Sequence, residues 1–224
     1  TTTFGVRNTA VGGGALEDIT GRENAGFGYG ALNNFTSGDY NVAIGVYALL
    51  GKAGGTATGD NNIAVGKDSL RRVSTGSDNI SIGKFSMSNS EVPSKNIAIG
   101  SNTLDAVLTT GSDLNVAIGH QSMTLATGAT KNTAVGGYSL DSLTTGDNNT
   151  ALGYKAGDLL TTGSSNITIG YSADGAATIS NQIVIGTTAS ASAADAIAIG
   201  RASTASSANS VAIGQGITAN QTGG

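Results

Sequence analysis

A short pattern of large apolar, small and large apolar residues, closed by glycine, recurs along the whole chain. Clear copies are Asn41-Val-Ala-Ile-Gly45, Asn62-Ile-Ala-Val-Gly66 and Asn96-Ile-Ala-Ile-Gly100. Because side chains alternate across a strand, each copy predicts a short β-strand with two large residues on one face and a small residue on the other. We expect the large residues to fill a core and the small face to meet another backbone surface, from the same roll or from a partner chain.

The spacing of the closing glycines predicts a solenoid. The copies end at Gly12, Gly28, Gly45, Gly66, Gly83, Gly100, Gly119, Gly136, Gly153, Gly170, Gly186, Gly200 and Gly214, mostly 17 residues apart and 14 apart near the end. A fixed period of this length indicates stacked coils. We therefore predict an all-β fold, a parallel β-solenoid of thirteen short coils. Residues 1–170 would form a roll of mostly 17-residue coils, and residues 171–224 a roll of mostly 14-residue coils leading to a further C-terminal region.

The residues around the strand are predicted to complete each coil. The closing glycine suits a turn that needs positive φ. A large apolar residue four positions later predicts a second short strand or extended segment, and it recurs as Leu16, Leu32, Leu49, Leu70, Met87, Leu104, Met123 and Leu140.

Two polar columns are expected to fix the register of the coils. The asparagines that open most copies would stack and bond through their amides along the axis. A Thr or Ser before a second glycine would form another column, at Thr20, Ser37, Thr58, Thr75, Thr110, Thr127, Thr145 and Thr162. The predicted structural repeat residues are Asn41, Ile44, Gly45, Asn62, Gly66, Asn79, Gly83, Asn96, Gly100, Asn115, Gly119, Asn132, Gly136, Asn149, Gly153, Asn166 and Gly170.

The composition of the chain predicts an oligomeric assembly. The chain of 224 residues has 35 Gly and only 4% aromatic residues, so a coil offers few large side chains and leaves one face uncovered. Parallel copies packed in register around an axis would cover that face along the whole roll. The net charge of -4 without a Lys/Arg run argues against nucleic acid as a partner, and no apolar run is long enough for membrane insertion of this segment.

The repeats resemble those of known surface fibres. Ser210-Val-Ala-Ile-Gly214 and Ala196-Ile-Ala-Ile-Gly200, with their Ala/Ser-rich spacers, resemble the YadA-like head repeats of trimeric autotransporter adhesins. The 17-residue units, such as Thr145 to Ala156, are similar to repeats of bacteriophage tail fibres. The resemblance implies a left-handed β-roll, a homotrimeric fibre and a role in attachment. The three extra residues per coil favour the tail fibre over the bacterial adhesin.

Enzymatic and metal-binding functions find little support. His120 is the sole histidine, so any triad would depend on it, and we expect it on the outside. Asp39, Asp60, Asp78, Asp113 and Asp147 precede the motif, but their period does not match a calcium-binding roll, and we expect them to cap their own turns. We predict no catalytic residue, no metal site and no cofactor.

Candidate receptor contacts lie in the variable positions after the closing glycines and in one insertion. Exposed Tyr, Lys and His suit stacking on sugars or pairing with acidic glycans. The candidates are Tyr29, Tyr47, Lys52, Lys67, Lys84, His120, Tyr154 and Tyr171. The insertion at residues 51–59 and the irregular segment at residues 88–95 are predicted loops of the binding side.

Three functions stay open at this point. The leading hypothesis is a segment of an extracellular fibre on a virion tail or a bacterial surface, with two further copies of the chain, a host glycan or protein, and neighbouring fibre or baseplate proteins as partners. A passive shaft whose binding tip lies elsewhere is the second. Ice binding through the Thr column is the third, although Ile19, Ala57 and Ala126 interrupt its parallel column.

Overall fold

The protein is an all-β parallel solenoid of about 12 turns. A computed structural model describes residues 5–52, 54, 57–106 and 112–220. The described residues contain no helix, and hence none long and apolar enough to cross a membrane. The predicted fold class is confirmed at this level.

The chain divides into two compact units, Thr1–Leu114 and Asn115–Gly224. The first unit holds β1 (Thr9–Val11), β2 (Ala25–Phe27), β3 (Val42–Ile44), β4 (Ile63–Val65), β5 (Ile80–Ile82) and β6 (Ile97–Ile99). The second holds β7 (Val116–Ile118), β8 (Thr133–Val135), β9 (Thr150–Leu152), β10 (Ile167–Ile169), β11 (Asp174–Gly175), β12 (Ile183–Ile185), β13 (Ser190–Ala191), β14 (Ile197–Ile199), β15 (Thr204–Ala205), β16 (Val211–Ile213) and β17 (Thr218–Ala219).

Within each unit the motif strands pair in parallel and in register. In the first unit, β1 to β6 pair in chain order, and β3 sets Val42 beside Ile63 and Ile44 beside Val65 of β4. In the second unit the order is β7, β8, β9, β10, β12, β14 and β16. Each motif copy therefore aligns with the next one, as the repeat predicts.

The coils change form near the end of the chain. From β11 onward each coil carries a second two-residue strand, and β11, β13, β15 and β17 pair as a separate parallel sheet. In the 17-residue coils the same part of the coil consists of turns. The predicted second segment is thus a strand only in the short coils. The predicted boundary between two rolls at residue 170 stays a prediction.

The predicted assignment of the two strand faces is wrong. The small middle residue points inward, as in fully buried Ala43, Ala64 and Ala98. The large flanking residues point outward, and Ile44 keeps 44% of its surface exposed. Each unit therefore carries a ribbon of large apolar side chains on its outer surface.

In the coils that follow Gly28 to Gly136, the interior is filled instead by the large residue four positions after the closing glycine. Leu32, Leu49, Leu70, Met87, Leu104, Met123 and Leu140 are all completely buried. They leave little room across the coil, since a Cβ on Gly26 of β2 would collide with Leu16 Cδ1. In these coils, an interior that already holds one large residue accepts only small strand residues opposite it.

These core leucines adopt an unusual backbone conformation. Leu49 has φ 49° and Leu140 also has φ 49°, both in the left-handed region. This conformation costs about 1–2 kcal/mol for a residue with a Cβ. Complete burial of a leucine side chain contributes about 1.5–3 kcal/mol, which offsets that cost.

The closing glycines meet a stricter requirement. Gly45 has φ 133°, and a Cβ built on it would lie 2.6 Å from the carbonyl oxygen of Gly66 in the next coil. The predicted positive φ is confirmed, and the close approach of the neighbouring backbone is a second reason for glycine.

The predicted asparagine ladder is confirmed, and it does more than bond amide to amide. Asn132 Nδ2 donates to Asn115 Oδ1 at 3.1 Å and to the Gly146 carbonyl of the next coil at 2.9 Å. Asn132 Oδ1 accepts the backbone N–H of Asn149 at 2.8 Å. The Asn132 side chain therefore bonds to the asparagine of the coil before it and to the backbone of the coil after it. Gln182 continues the ladder, since its N–H donates to Asn166 Oδ1 at 2.9 Å.

The predicted column of Thr and Ser before the second glycine lies at the surface. Thr145 and Thr162 are exposed, and Thr110 lies outside the described residues. Hydroxyl bonds along the axis come mainly from the preceding position, where Thr144 Oγ1 donates to the Thr161 carbonyl at 3.0 Å. The position that locks neighbouring coils is thus one residue earlier than predicted.

Candidate functional site

Four aromatic side chains form a continuous row on the surface of the second unit. His120 and Tyr138 lie 5.4 Å apart between ring centroids, Tyr138 and Tyr154 5.7 Å, and Tyr154 and Tyr171 5.6 Å. The first two contacts are edge to face, and the third is stacked with an interplanar angle of 17°. We call these four residues the aromatic ladder.

The repeat itself places the ladder. His120, Tyr154 and Tyr171 directly follow the glycines that close β7, β9 and β10, so consecutive coils present them at the same position. After β8 this position is Gly137, and Tyr138 fills the row from one residue further on. Sequence reasoning missed Tyr138, although the doubled glycine before it was a signal that the aromatic position had moved by one residue.

The ladder offers an extended surface for a flat ligand. His120 is exposed, and Tyr154 and Tyr171 are about half exposed. Aromatic faces carry negative partial charge and bind the polarised C–H face of a sugar or a cation. The arrangement can therefore hold a chain-like ligand laid across several coils.

The first unit contains a smaller aromatic pair. Tyr29 and Tyr47 meet edge to face at 5.4 Å, and the Arg71 guanidinium carbon lies 5.7 Å from the Tyr47 centroid. Arg71 was not among the predicted contacts. Arg71 lies in the coil after that of Tyr47 but at a different position of the repeat, so the period does not predict their contact.

The three candidate lysines occupy different environments within the first unit. Lys52 donates to Glu91 at 2.8 Å, Lys67 lies 3.9 Å from Asp68, and Lys84 lies 4.9 Å from the Phe85 centroid. The structure thus separates the predicted contacts into the ladder, the Tyr29–Tyr47 pair and these individually partnered lysines. They do not form one site.

The outward apolar ribbon is the second feature with functional potential. Its members are the third residues of the motif strands, which are large and apolar in every copy, and often the first residues as well. In the second unit Leu152 is 49% exposed and Ile213 is 65% exposed. Rows of large apolar residues exposed to this extent are a common feature of interaction surfaces.

The predicted role of the turn aspartates needs correction. Their carboxylates bond to the preceding coil rather than to their own turn: Asp39 Oδ1 accepts the Arg22 N–H at 2.8 Å, and Asp147 Oδ1 accepts the Thr130 N–H at 2.7 Å. The physical reason is the short distance between coils, which places the free N–H of one turn beside the carboxylate of the next. Asp78 is not in this column, because Ser77 takes its place and accepts the Asp60 N–H at 3.0 Å.

One pair of carboxyl groups is electrostatically unusual. Burial and the neighbouring Asp158 raise the pKa of Asp174 to about 8, so that Asp174 holds a proton at neutral pH. Lys155 Nζ lies 3.8 Å from Oδ2 of Asp158. Within the described part of the chain, no group of three or more His, Cys, Asp or Glu residues could hold a metal ion.

No protein-family model matches the chain. No curated protein is significantly similar to it.

Proposed function

We propose that this chain is one strand of a homotrimeric extracellular fibre, a structural and receptor-binding element of a bacteriophage tail that mediates attachment to the host surface. In this proposal, thirteen coils wind into a left-handed roll, and three copies lie parallel and in register. A bacterial trimeric adhesin head, or a passive shaft whose binding tip lies elsewhere, is the alternative within the same class of fibre.

The outward apolar ribbon is the observation that carries the proposal. A chain with one large apolar residue at least partly exposed in each coil is stabilised when another surface covers these residues. Parallel copies in register present the same residue at the same height, so one favourable contact repeats along the roll. The number three comes from the resemblance to YadA-like heads.

The magnitudes are sufficient for association. Covering a half-exposed Leu or Ile contributes about 1 kcal/mol, half of the range for complete burial. Association costs about 4–15 kcal/mol in lost translational and rotational freedom. Contacts repeated over a dozen coils in each chain exceed that cost, whereas contacts confined to two or three coils would not.

Sedimentation equilibrium on a matched pair of variants tests the assembly. Leu152 on the ribbon and Leu125 in a turn are exposed to similar extents, 49% and 53%. We expect the unmodified chain to have about three times its mass of 21.9 kDa, and Leu152→Asp to dissociate at concentrations where Leu125→Asp remains assembled. A monomeric mass for the unmodified chain would overturn the proposal.

The attachment role is supported by the aromatic ladder. We expect Tyr154→Ala and Tyr171→Ala to weaken binding of the fibre to immobilised bacterial surface polysaccharide. Leu159→Ala, which removes an exposed side chain of the same unit outside the ladder, should leave binding unchanged. Unchanged attachment in both tyrosine variants would favour the passive shaft.

A further inference from the structure

Two segments that depart from the repeat come together in the first unit. Lys52 belongs to the insertion that follows β3, and Glu91 belongs to the irregular segment that follows β5. Lys52 Nζ donates to Glu91 Oε2 at 2.8 Å, and Arg72 Nη2 donates to Glu91 Oε1 at 3.1 Å. Glu91 therefore bonds to the insertion through Oε2 and to Arg72, in the coil between the two segments, through Oε1. The hydrogen bond from Lys52 lowers the pKa of Glu91.

Two adjoining grooves lie beside this link. One has a volume of about 390 Å³ and the other about 380 Å³, and both are lined by Arg71, Arg72 and Asn89. Such volumes fall within the range of about 300–1,000 Å³ found for small-ligand sites. We call the two together the Arg71–Arg72 groove.

The arginine side chains are held in place by their own contacts. Arg71 lies over the Tyr47 ring, and its Nε is 3.5 Å from Oδ1 of Asp68, which is almost completely buried. Arg72 is bound to Glu91. Each guanidinium already faces a carboxylate, which largely balances its positive charge. Its remaining N–H groups are still available as hydrogen-bond donors.

The opposite wall supplies a partly used carboxylate. Asp105 Oδ1 accepts hydrogen bonds from the Ser88 N–H, the Ser88 hydroxyl and Asn89 Nδ2. Asp105 Oδ2 has no hydrogen-bond partner in the part of the chain that the structure describes, and Asp105 lines the groove. Burial raises the pKa of this carboxyl group, which indicates how closely the protein surrounds it.

An unused amide and an aromatic ring complete this wall. Asn102 lines the groove with φ 55°, and its side-chain amide makes no hydrogen bond to any other described residue. Phe85 lines the same groove and adds an apolar surface. Donors, acceptors and one aromatic ring therefore converge in a space open to solvent.

This chemistry selects a class of ligand. A strongly anionic ligand would approach three carboxylates, those of Asp68, Glu91 and Asp105, while the cations are already paired. A neutral sugar matches better, because each hydroxyl both donates and accepts a hydrogen bond and the ring presents an apolar C–H face. We infer that the Arg71–Arg72 groove is a binding site for a neutral saccharide unit of a surface polysaccharide. This inference rests on the proposed attachment function and adds to the aromatic ladder a second candidate site, with a substrate class.

A glycan array followed by calorimetry on matched variants tests the inference. The array carries neutral, sialylated and sulfated oligosaccharides, and a neutral oligosaccharide that binds is then titrated in solution. Asn102→Asp keeps the side-chain shape and the tolerance for positive φ, but it replaces a donor by a charge. We expect at least a tenfold loss of affinity, since a lost hydrogen bond of about 1.5 kcal/mol corresponds to that factor. Asp105→Asn should also weaken binding.

Asn61→Asp is the matched control. Asn61 is exposed at φ 57° in the same unit and does not line the groove, so its substitution should leave affinity unchanged. Circular dichroism and sedimentation establish that each variant is folded and assembled. Each result is then attributable to the groove alone.

Three results would overturn the inference. Neutral glycans bound equally well by Asn102→Asp and Asp105→Asn would place binding elsewhere and leave attachment intact. Binding restricted to sialylated or sulfated glycans would reject the neutral class. A trimer of the expected mass that binds no glycan on the array would reject the groove while the fibre itself stands, whereas a monomer would reject the fibre.

Discussion

Substitution of one asparagine in the stacked asparagine column should destabilise the fold far more than the small size of the side chain suggests. Asn132 is completely buried, and its side chain makes two hydrogen bonds to the backbone of the next coil. In Asn132→Ala, the Gly146 carbonyl loses the donor 2.9 Å away, and the Asn149 N–H loses the acceptor 2.8 Å away. A buried polar group left without a partner costs about 1–3 kcal/mol. Two such groups give an expected loss of about 2–6 kcal/mol in the free energy of unfolding.

Urea denaturation followed by circular dichroism measures this loss. Protein concentration is held fixed, because stability of an oligomer depends on it. Thr145→Ala is the control, since its side chain is exposed in the same unit, and surface changes stay within about 0.5 kcal/mol. Hydrogen exchange should show faster exchange of the Asn149 amide. A loss below about 1 kcal/mol, with unchanged exchange there, would refute the reasoning.

Three further changes have defined outcomes. Gly45→Ala should cost several kcal/mol in urea denaturation because its Cβ meets a carbonyl oxygen at 2.6 Å, while Gly54→Ala, with open space around it, should cost only the strain of positive φ. Ala98→Leu should cost about 1–3 kcal/mol by overfilling the narrow interior, and a neutral result would contradict that packing. The pKa of Asp174 is about 8 beside Asp158, against 3.8 in the unfolded chain, so the native state holds the proton more tightly. Stability should therefore fall as pH rises from 4 to 8; Asp174→Asn should flatten this part of the pH profile, and an unchanged profile would contradict it.

Features that depend on the period alone could be predicted from the sequence. The strands, their register and the amide ladder follow because equal spacing superimposes equal residues in successive coils. The positive φ of Gly45 follows from glycine at a strand end. None of these requires knowledge of how wide the interior is.

The direction of the strand faces could not be predicted from alternation, because alternation is the same whichever side is inside. The interior width decides it, and the core leucines set that width. Val184 illustrates the rule: it is a buried middle residue larger than alanine, and it packs in a cluster with Ala173 and Ala189 of the short coils. Weighing the volume of Leu49 against that of Ala43 would have indicated the correct face.

Contacts between irregular segments were also beyond the sequence. Lys52 and Glu91 are 39 residues apart and share no repeat position, so no period predicts their hydrogen bond. Three of the four residues of the aromatic ladder, His120, Tyr154 and Tyr171, were predicted because they occupy the variable position after a closing glycine. The gap at Gly137 concealed the contribution of Tyr138.

Spin labelling tests most directly whether the outward ribbon faces copies of itself. The chain has no cysteine, so Leu152→Cys carries a single nitroxide on the ribbon and Leu125→Cys a single nitroxide in a turn. In a parallel assembly in register, equivalent ribbon residues lie close together around the axis. The account predicts strong spin–spin broadening of the electron paramagnetic resonance spectrum at position 152 and little at position 125. Sharp spectra at both positions would contradict it.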